Sequence, residues 1–115
     1  MSDYLHRAEA LRQELVETRR DLHRHPELLF EEKRTGSIVA AHLKKLGIPH
    51  RTGIAKTGIV GELGTAGPIV ALRADMDALP IEESNDVPYK SEHPGVMHAC
   101  GHDAHTTCLM GAAKI

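Results

Sequence analysis

Aromatic side chains are nearly missing from this chain. Its 115 residues hold no tryptophan, one phenylalanine and two tyrosines. Hydrophobic residues make up 41%, many of them alanine, so large core side chains are in thin supply. One domain with one modest core is expected. Charge of one sign is also lacking: the formal net charge is −2, with acids and bases interspersed. A nucleic-acid footprint and a polybasic membrane patch are thereby excluded. No apolar run is long enough for a transmembrane helix. The opening stretch, residues 1–12, is charged and has no apolar signal core. There are two cysteines, Cys100 and Cys108, too few for a disulfide framework. A reducing, cytoplasmic setting fits, and there thiols are free to bind metal. The last ten residues read as a helix in progress with no capping residue, so the chain is expected to be the first part of a longer protein.

What is present is concentrated in Met97-His98-Ala99-Cys100-Gly101-His102-Asp103-Ala104-His105. In extended chain, side chains two apart point the same way, so Cys100 and His102 can reach one ion. Thiolate and imidazole both suit zinc and similar borderline metals. Gly101 between them would let the backbone bend close to the ion. The plainer reading is a solvated, histidine-rich loop, because a Cys-x-His pair alone is a weak signal.

Along the chain, Tyr4, Ala8, Leu11, Leu15, Thr18 and Leu22 recur at helical spacing, and Pro26 stops that helix at about His25. A second helix is expected from near Glu31 to Lys45, ended by Gly47 and Pro49. His50 to Ile54 is a weak strand candidate and Thr57 to Leu63 a better one. Ile69 to Asp75 is the strongest, because Ile69-Val70-Ala71-Leu72 is apolar on both faces, as in a strand inside a sheet. Asp86 to Gly95 is a polar loop, and a closing helix covers Thr106 to Ile115. Helices alternating with strands argue for an α/β layer structure. Cys108 is expected among the core residues of that last helix. His6, His42 and His50 are expected in solvent. His23 and His25 close the first helix, where positive charge is mildly favoured.

A second cluster follows the strongest strand: Arg73, Asp75 and Asp77 share a face if the chain stays extended. Carboxylates at a strand's C-terminal end are well placed for a site in α/β folds. A carboxylate beside a metal-bound histidine fixes its ring and tautomer. The plainer reading pairs Asp75 with Arg73 and makes Asp77 a turn cap.

Four stretches taken together carry a resemblance. They are Leu22-His23-Arg24-His25-Pro26-Glu27-Leu28, Leu72-Arg73-Ala74-Asp75-Met76-Asp77-Ala78-Leu79-Pro80-Ile81, His93-Pro94-Gly95-Val96-Met97 and His98-Ala99-Cys100-Gly101-His102-Asp103. In this order they resemble the N-terminal part of the M20 metallopeptidase family. The likeness is to its amidohydrolase branch of N-acyl-amino-acid, hippurate and auxin-conjugate hydrolases. Leu29 and Ala104 stand where glycine is commoner in that family.

The resemblance implies that residues 1–115 are the N-terminal portion of a zinc-peptidase-like catalytic domain, with helices packed on a mixed sheet. It implies Cys100 and His102 as metal ligands and Asp77 as the aspartate that supports catalysis beside the metal. Asp75 sits where other branches place a ligating histidine. The complete site would hold two divalent ions, of zinc, manganese, cobalt or nickel. It would cleave the amide bond of an N-acyl amino acid or related conjugate by metal-activated water. The family's Glu-Glu pair, its later histidines, its lid domain and its dimer contacts would all lie outside these residues, so the chain alone is expected to be inactive. His93, His98 and His105 would surround the ligands.

Two alternatives remain open at this point. One is a non-catalytic metal module closed by Cys100, His102, His98 and His105. The other is thiol catalysis with Cys100 as nucleophile and a histidine as base.

Overall fold

The structure, a computed structural model, describes residues 2–115; Met1, part of the charged opening stretch, lies outside the described residues. Among the described residues, four helices and one two-stranded ribbon make up the regular structure. The expected first helix comes as two in close succession, α1 (Ser2–Ala10) and α2 (Arg12–Arg24). At the junction the Leu11 N–H donates to Ala8 O, three residues back, and tightens the turn. Tyr4 and Leu5 of α1 are exposed, while α2 buries Leu22 and His23.

The second helix, α3, runs Lys33–Lys45. Its start is capped from a distance. The Glu27 carboxylate accepts from the Arg34 and Thr35 N–H groups at 2.9 and 2.7 Å and from the Thr35 hydroxyl. An acid at that position satisfies orphan donors and meets the positive end of the helix dipole. Its end is the expected glycine stop. Gly47 has φ +71°, its N–H donates to Lys44 O, and the Ile48 N–H donates to Leu43 O. Those two bonds make a Schellman closure.

The strands β1 (His50–Ile54) and β2 (Gly58–Gly61) pair antiparallel, with His50 opposite Gly61. Helix α3 packs on this ribbon. The last helix, α4 (His102–Lys114), packs on α2, and Gly111 makes the approach close: a Cβ there would lie 3.0 Å from Leu15 Cδ2.

The strongest strand candidate does not form a strand. Ile69 to Asp75 takes part in no ladder among the described residues, and Ile69 is 97% exposed. Val70 and Leu72 are exposed as well. An apolar run becomes a strand only when a neighbour takes up its N–H and C=O groups, and none lies beside it here. The ordered sheet is therefore a small antiparallel ribbon. Cys108 also departs from expectation: it is exposed, facing a groove with Leu15, Val16 and Tyr89. His42 is not merely solvated, since its Nε2 meets Met110 O at 2.8 Å and ties α3 to α4. His50 Nδ1 likewise meets Ile48 O at 2.9 Å.

The interior is unusually polar. Among the described residues Leu22, Pro26, Ile48, Ala78 and Met110 are buried apolar side chains, and His23, Glu32, Thr35, Glu83, His98, Asp103, Thr106 and Thr107 are buried with them. Buried polar groups persist only when they are paired, so side-chain hydrogen bonds carry much of this packing. No described helix is long and apolar enough to cross a membrane.

Candidate metal centre

Residues 75–79 cross the molecule between two backbone neighbours. The Ala78 N–H donates to Glu27 O at 2.7 Å, and Leu79 and Met97 exchange bonds at 2.9 and 3.0 Å. The Thr106 hydroxyl on α4 donates to Asp75 O at 2.9 Å. This segment is thus held against the start of α4, where Cys100, Gly101 and His102 lie.

Gly101 is the N-cap of α4 with φ +87°. A Cβ there would meet nothing within 4 Å, so glycine answers the left-handed backbone and not a crowded approach. Cys100, just before it, is exposed.

His102 is fixed by Asp77. Its Nδ1 lies 2.9 Å from Asp77 O and 3.0 Å from Asp77 Oδ1. A carbonyl oxygen only accepts, so Nδ1 carries the proton and donates. In the neutral ring the lone pair is then on Nε2, the nitrogen that faces away from Asp77. Asp75 Oδ2 stands 4.0 Å from that nitrogen. Asp75 Oδ1 accepts from Arg73 at 2.7 Å, and that bond holds the Asp75 carboxyl below the usual carboxylate range. Both readings of the acidic pair therefore contribute: Asp75 pairs with Arg73, and Asp77 engages the histidine.

The other histidines are placed unequally. The His105 ring is exposed, 5.8 Å from that of His102. His98 is buried, neither of its ring nitrogens has a partner among the described residues, and burial pushes its pKa down. His93 lies beside the ring of His25. Among the described residues no three of His, Cys, Asp and Glu are grouped so that they could hold one metal ion. Close to the start of α4 the described residues offer one exposed thiol, Cys100, and one imidazole, His102, whose Nε2 faces away from Asp77.

A family model described as Peptidase family M20/M25/M40 matches residues 71–115, the span that holds Asp77, Cys100 and His102. An IAA-amino acid hydrolase of Arabidopsis thaliana, ILR1-like 5, is 53% identical over 102 residues, which is 88% of this chain and 23% of that protein. The N-acetyl-L-cysteine deacetylase of Bacillus subtilis is 50% identical over 105 residues, 90% of this chain and 25% of that one. The crystal structure of the Bacillus subtilis YXEP protein, described as a dinuclear metal-binding peptidase from the M20 family, superposes with a TM-score of 0.86. It is 42% identical and covers 92% of this chain and 30% of its own.

The chain is similar to part of the M20 peptidases.

The chain spans about a quarter of the length of the curated relatives it matches. Its helices and small antiparallel ribbon match part of a solved M20 peptidase structure.

Beside the candidate centre lies a buried cluster that sequence reading missed. His23, expected only to close a helix, sits between two carboxylates. Its Nδ1 is 2.7 Å from Asp103 Oδ2, and its Nε2 is 2.9 Å from Glu83 Oε2. Arg19 Nε donates to the same Asp103 oxygen at 2.9 Å. Burial works to raise the Glu83 carboxyl. Hydrogen bonds from His23, the Ser91 N–H and Asn85 outweigh it and hold the carboxyl down at about 2. His23 and Asp103 each lie inside a stretch that carries the family resemblance, which was the available signal; Glu83 had none. His25, by contrast, stays near the surface, with Nδ1 on Asp21 O and Nε2 3.1 Å from Glu92.

Proposed function

We propose that this chain supplies part of the metal centre of an M20 amidohydrolase that hydrolyses the amide bond of N-acyl amino acids or related small conjugates. Cys100 and His102 are two of the ligands and Asp77 is the supporting carboxylate. The observation that carries this reading is the double contact of His102 Nδ1 with Asp77, because it puts the ring proton on Nδ1 and leaves the lone pair of the neutral ring on Nε2, as a ligand needs. Two divalent ions, of zinc, manganese, cobalt or nickel, would polarise the scissile carbonyl and acidify the attacking water when bound.

The chain's own groups have narrower tasks. Asp77 orients His102 and keeps its tautomer. Cys100 brings negative charge to the ion, with affinity that falls as pH drops. The proton acceptor for the attacking water lies outside residues 1–115, so the chain alone does not turn over. The names of the relatives, an IAA-amino acid hydrolase and an N-acetyl-L-cysteine deacetylase, support a small acylated amino acid as substrate. A cytoplasmic homodimer is the setting we assign to the full-length protein.

The test is hydrolysis of a panel of N-acyl amino acids by the full-length protein, with and without a chelator. Loss of activity on chelation, with recovery on adding zinc or manganese, is expected. Chelator-resistant turnover would instead make Cys100 a nucleophile.

A further inference from the structure

His23 is 3% exposed, and both its ring nitrogens face carboxylate oxygens. The acceptors come from two different elements. Asp103 belongs to the first turn of α4, and Glu83 to the loop after residue 80. Glu83 also accepts from the Ser91 N–H at 2.7 Å and from Asn85 Nδ2 at 3.0 Å, so its oxygens are committed as acceptors. Asp103, fully buried, accepts from Arg19 and from its neighbour's Ala104 N–H. A ring nitrogen facing an acceptor must donate, and here both do.

Charge gives the same answer. With His23 protonated on both nitrogens, the cluster of Arg19, His23, Glu83 and Asp103 is neutral. With one proton fewer it would bury an uncompensated negative charge, which is costly. The Tyr89 ring also lies against His23, edge-on, with the ring centroids 5.6 Å apart.

Asp103 directly follows His102. Its side chain is pinned by α2 through Arg19 and His23, while its own O accepts from the Thr107 hydroxyl within α4. Arg19 and His23 of α2 thus help to hold the first turn of α4, which His102 opens and Cys100 precedes by two residues.

We propose that His23 is a positioning residue, a buried imidazolium that locks Asp103 and so sets the turn presenting Cys100 and His102. This rests on those two residues being metal ligands. His23 touches no reacting atom, so it acts through the geometry of the ligand pair.

The test separates its two hydrogen bonds in the full-length protein. In His23→Asn the amide nitrogen replaces Nδ1 and reaches Asp103; in His23→Gln it replaces Nε2 and reaches Glu83. Both variants lose the same charge, and melting temperature records the shared structural cost. Cobalt(II) titration, read by the thiolate-to-cobalt absorption band, reports the ligand pair. We expect His23→Gln to weaken cobalt binding by about tenfold or more, as loss of groups behind metal ligands does, and His23→Asn to recover most of it. Nitrogen-15 spectra of wild-type His23 should show both ring nitrogens protonated at neutral pH.

A single neutral tautomer would overturn the proposal, and so would equal cobalt loss in both variants that merely follows their melting temperatures. Cobalt binding without the thiolate band would remove Cys100 as a ligand on its own. His23 is then judged by the Gly101, His102 and Asp103 amide shifts, which should move in His23→Gln and return in His23→Asn. Shifts that stay at their wild-type values in both variants would likewise overturn it.

Discussion

Two cysteines eight positions apart occupy unlike surroundings, and their chemistry should differ accordingly. Cys100 precedes a left-handed glycine at a helix start, while Cys108 lies on the exposed side of α4. In the 115-residue chain, alkylation followed by mass spectrometry should find Cys108 reactive without denaturant, at a rate indifferent to added metal. In full-length protein, Cys100 should label slowly with metal bound and fast after chelation. An unchanged Cys100 rate, with metal analysis confirming removal, would rule it out as a ligand. Asp77 holds the ring behind the ion, so Asp77→Ala in full-length protein should cost well over about tenfold in activity with only modest metal loss. Normal kinetics would reduce Asp77 to a turn residue. Glu83 makes a pH prediction. Its carboxyl is depressed from an ordinary 4.5 to about 2. A depressed acid contributes stability that is fully present above its unfolded value and is lost as pH falls through the folded one. Melting temperature should therefore fall between about pH 4.5 and pH 2, and Glu83→Gln should flatten that part of the profile.

Elements were legible where their signals are local. The end of α3 follows from Gly47 and Pro49, because a left-handed closing residue and a proline act within one turn. The two strands of the ribbon were legible as candidates at His50 to Ile54 and Thr57 to Leu63, and their pairing was not. The start of α3 was harder, since its cap is Glu27, several residues upstream. Replacing Glu27 with alanine should destabilise the fold by about 1–2 kcal/mol, the usual range for a lost N-terminal cap. Denaturant melts would show it as a lower midpoint with an unchanged slope. The candidate centre divides the same way. Cys100, His102 and Asp77 could be read from spacing and resemblance. The His23 clamp could not, because its partners lie 60 and 80 positions away in the sequence. The Ile69 run misled for the same reason: periodicity reports what a stretch could bury, and pairing depends on a neighbour that periodicity does not see.

As a whole, the molecule holds a site with polar joints and a small apolar core, and leaves its most hydrophobic stretch bare. Ile69, Val70 and Leu72 stand in solvent with their backbone groups unpaired by any ladder among the described residues. Short β-branched runs of low charge in that condition are templates for the strands of other molecules. The 115-residue chain should thus be sticky. Light scattering should show association that grows with protein concentration, and Ile69→Lys or Val70→Lys should suppress it while leaving the helical circular dichroism intact. The stretch that leads into the candidate catalytic aspartate would then double as the seed of a cross-β aggregate.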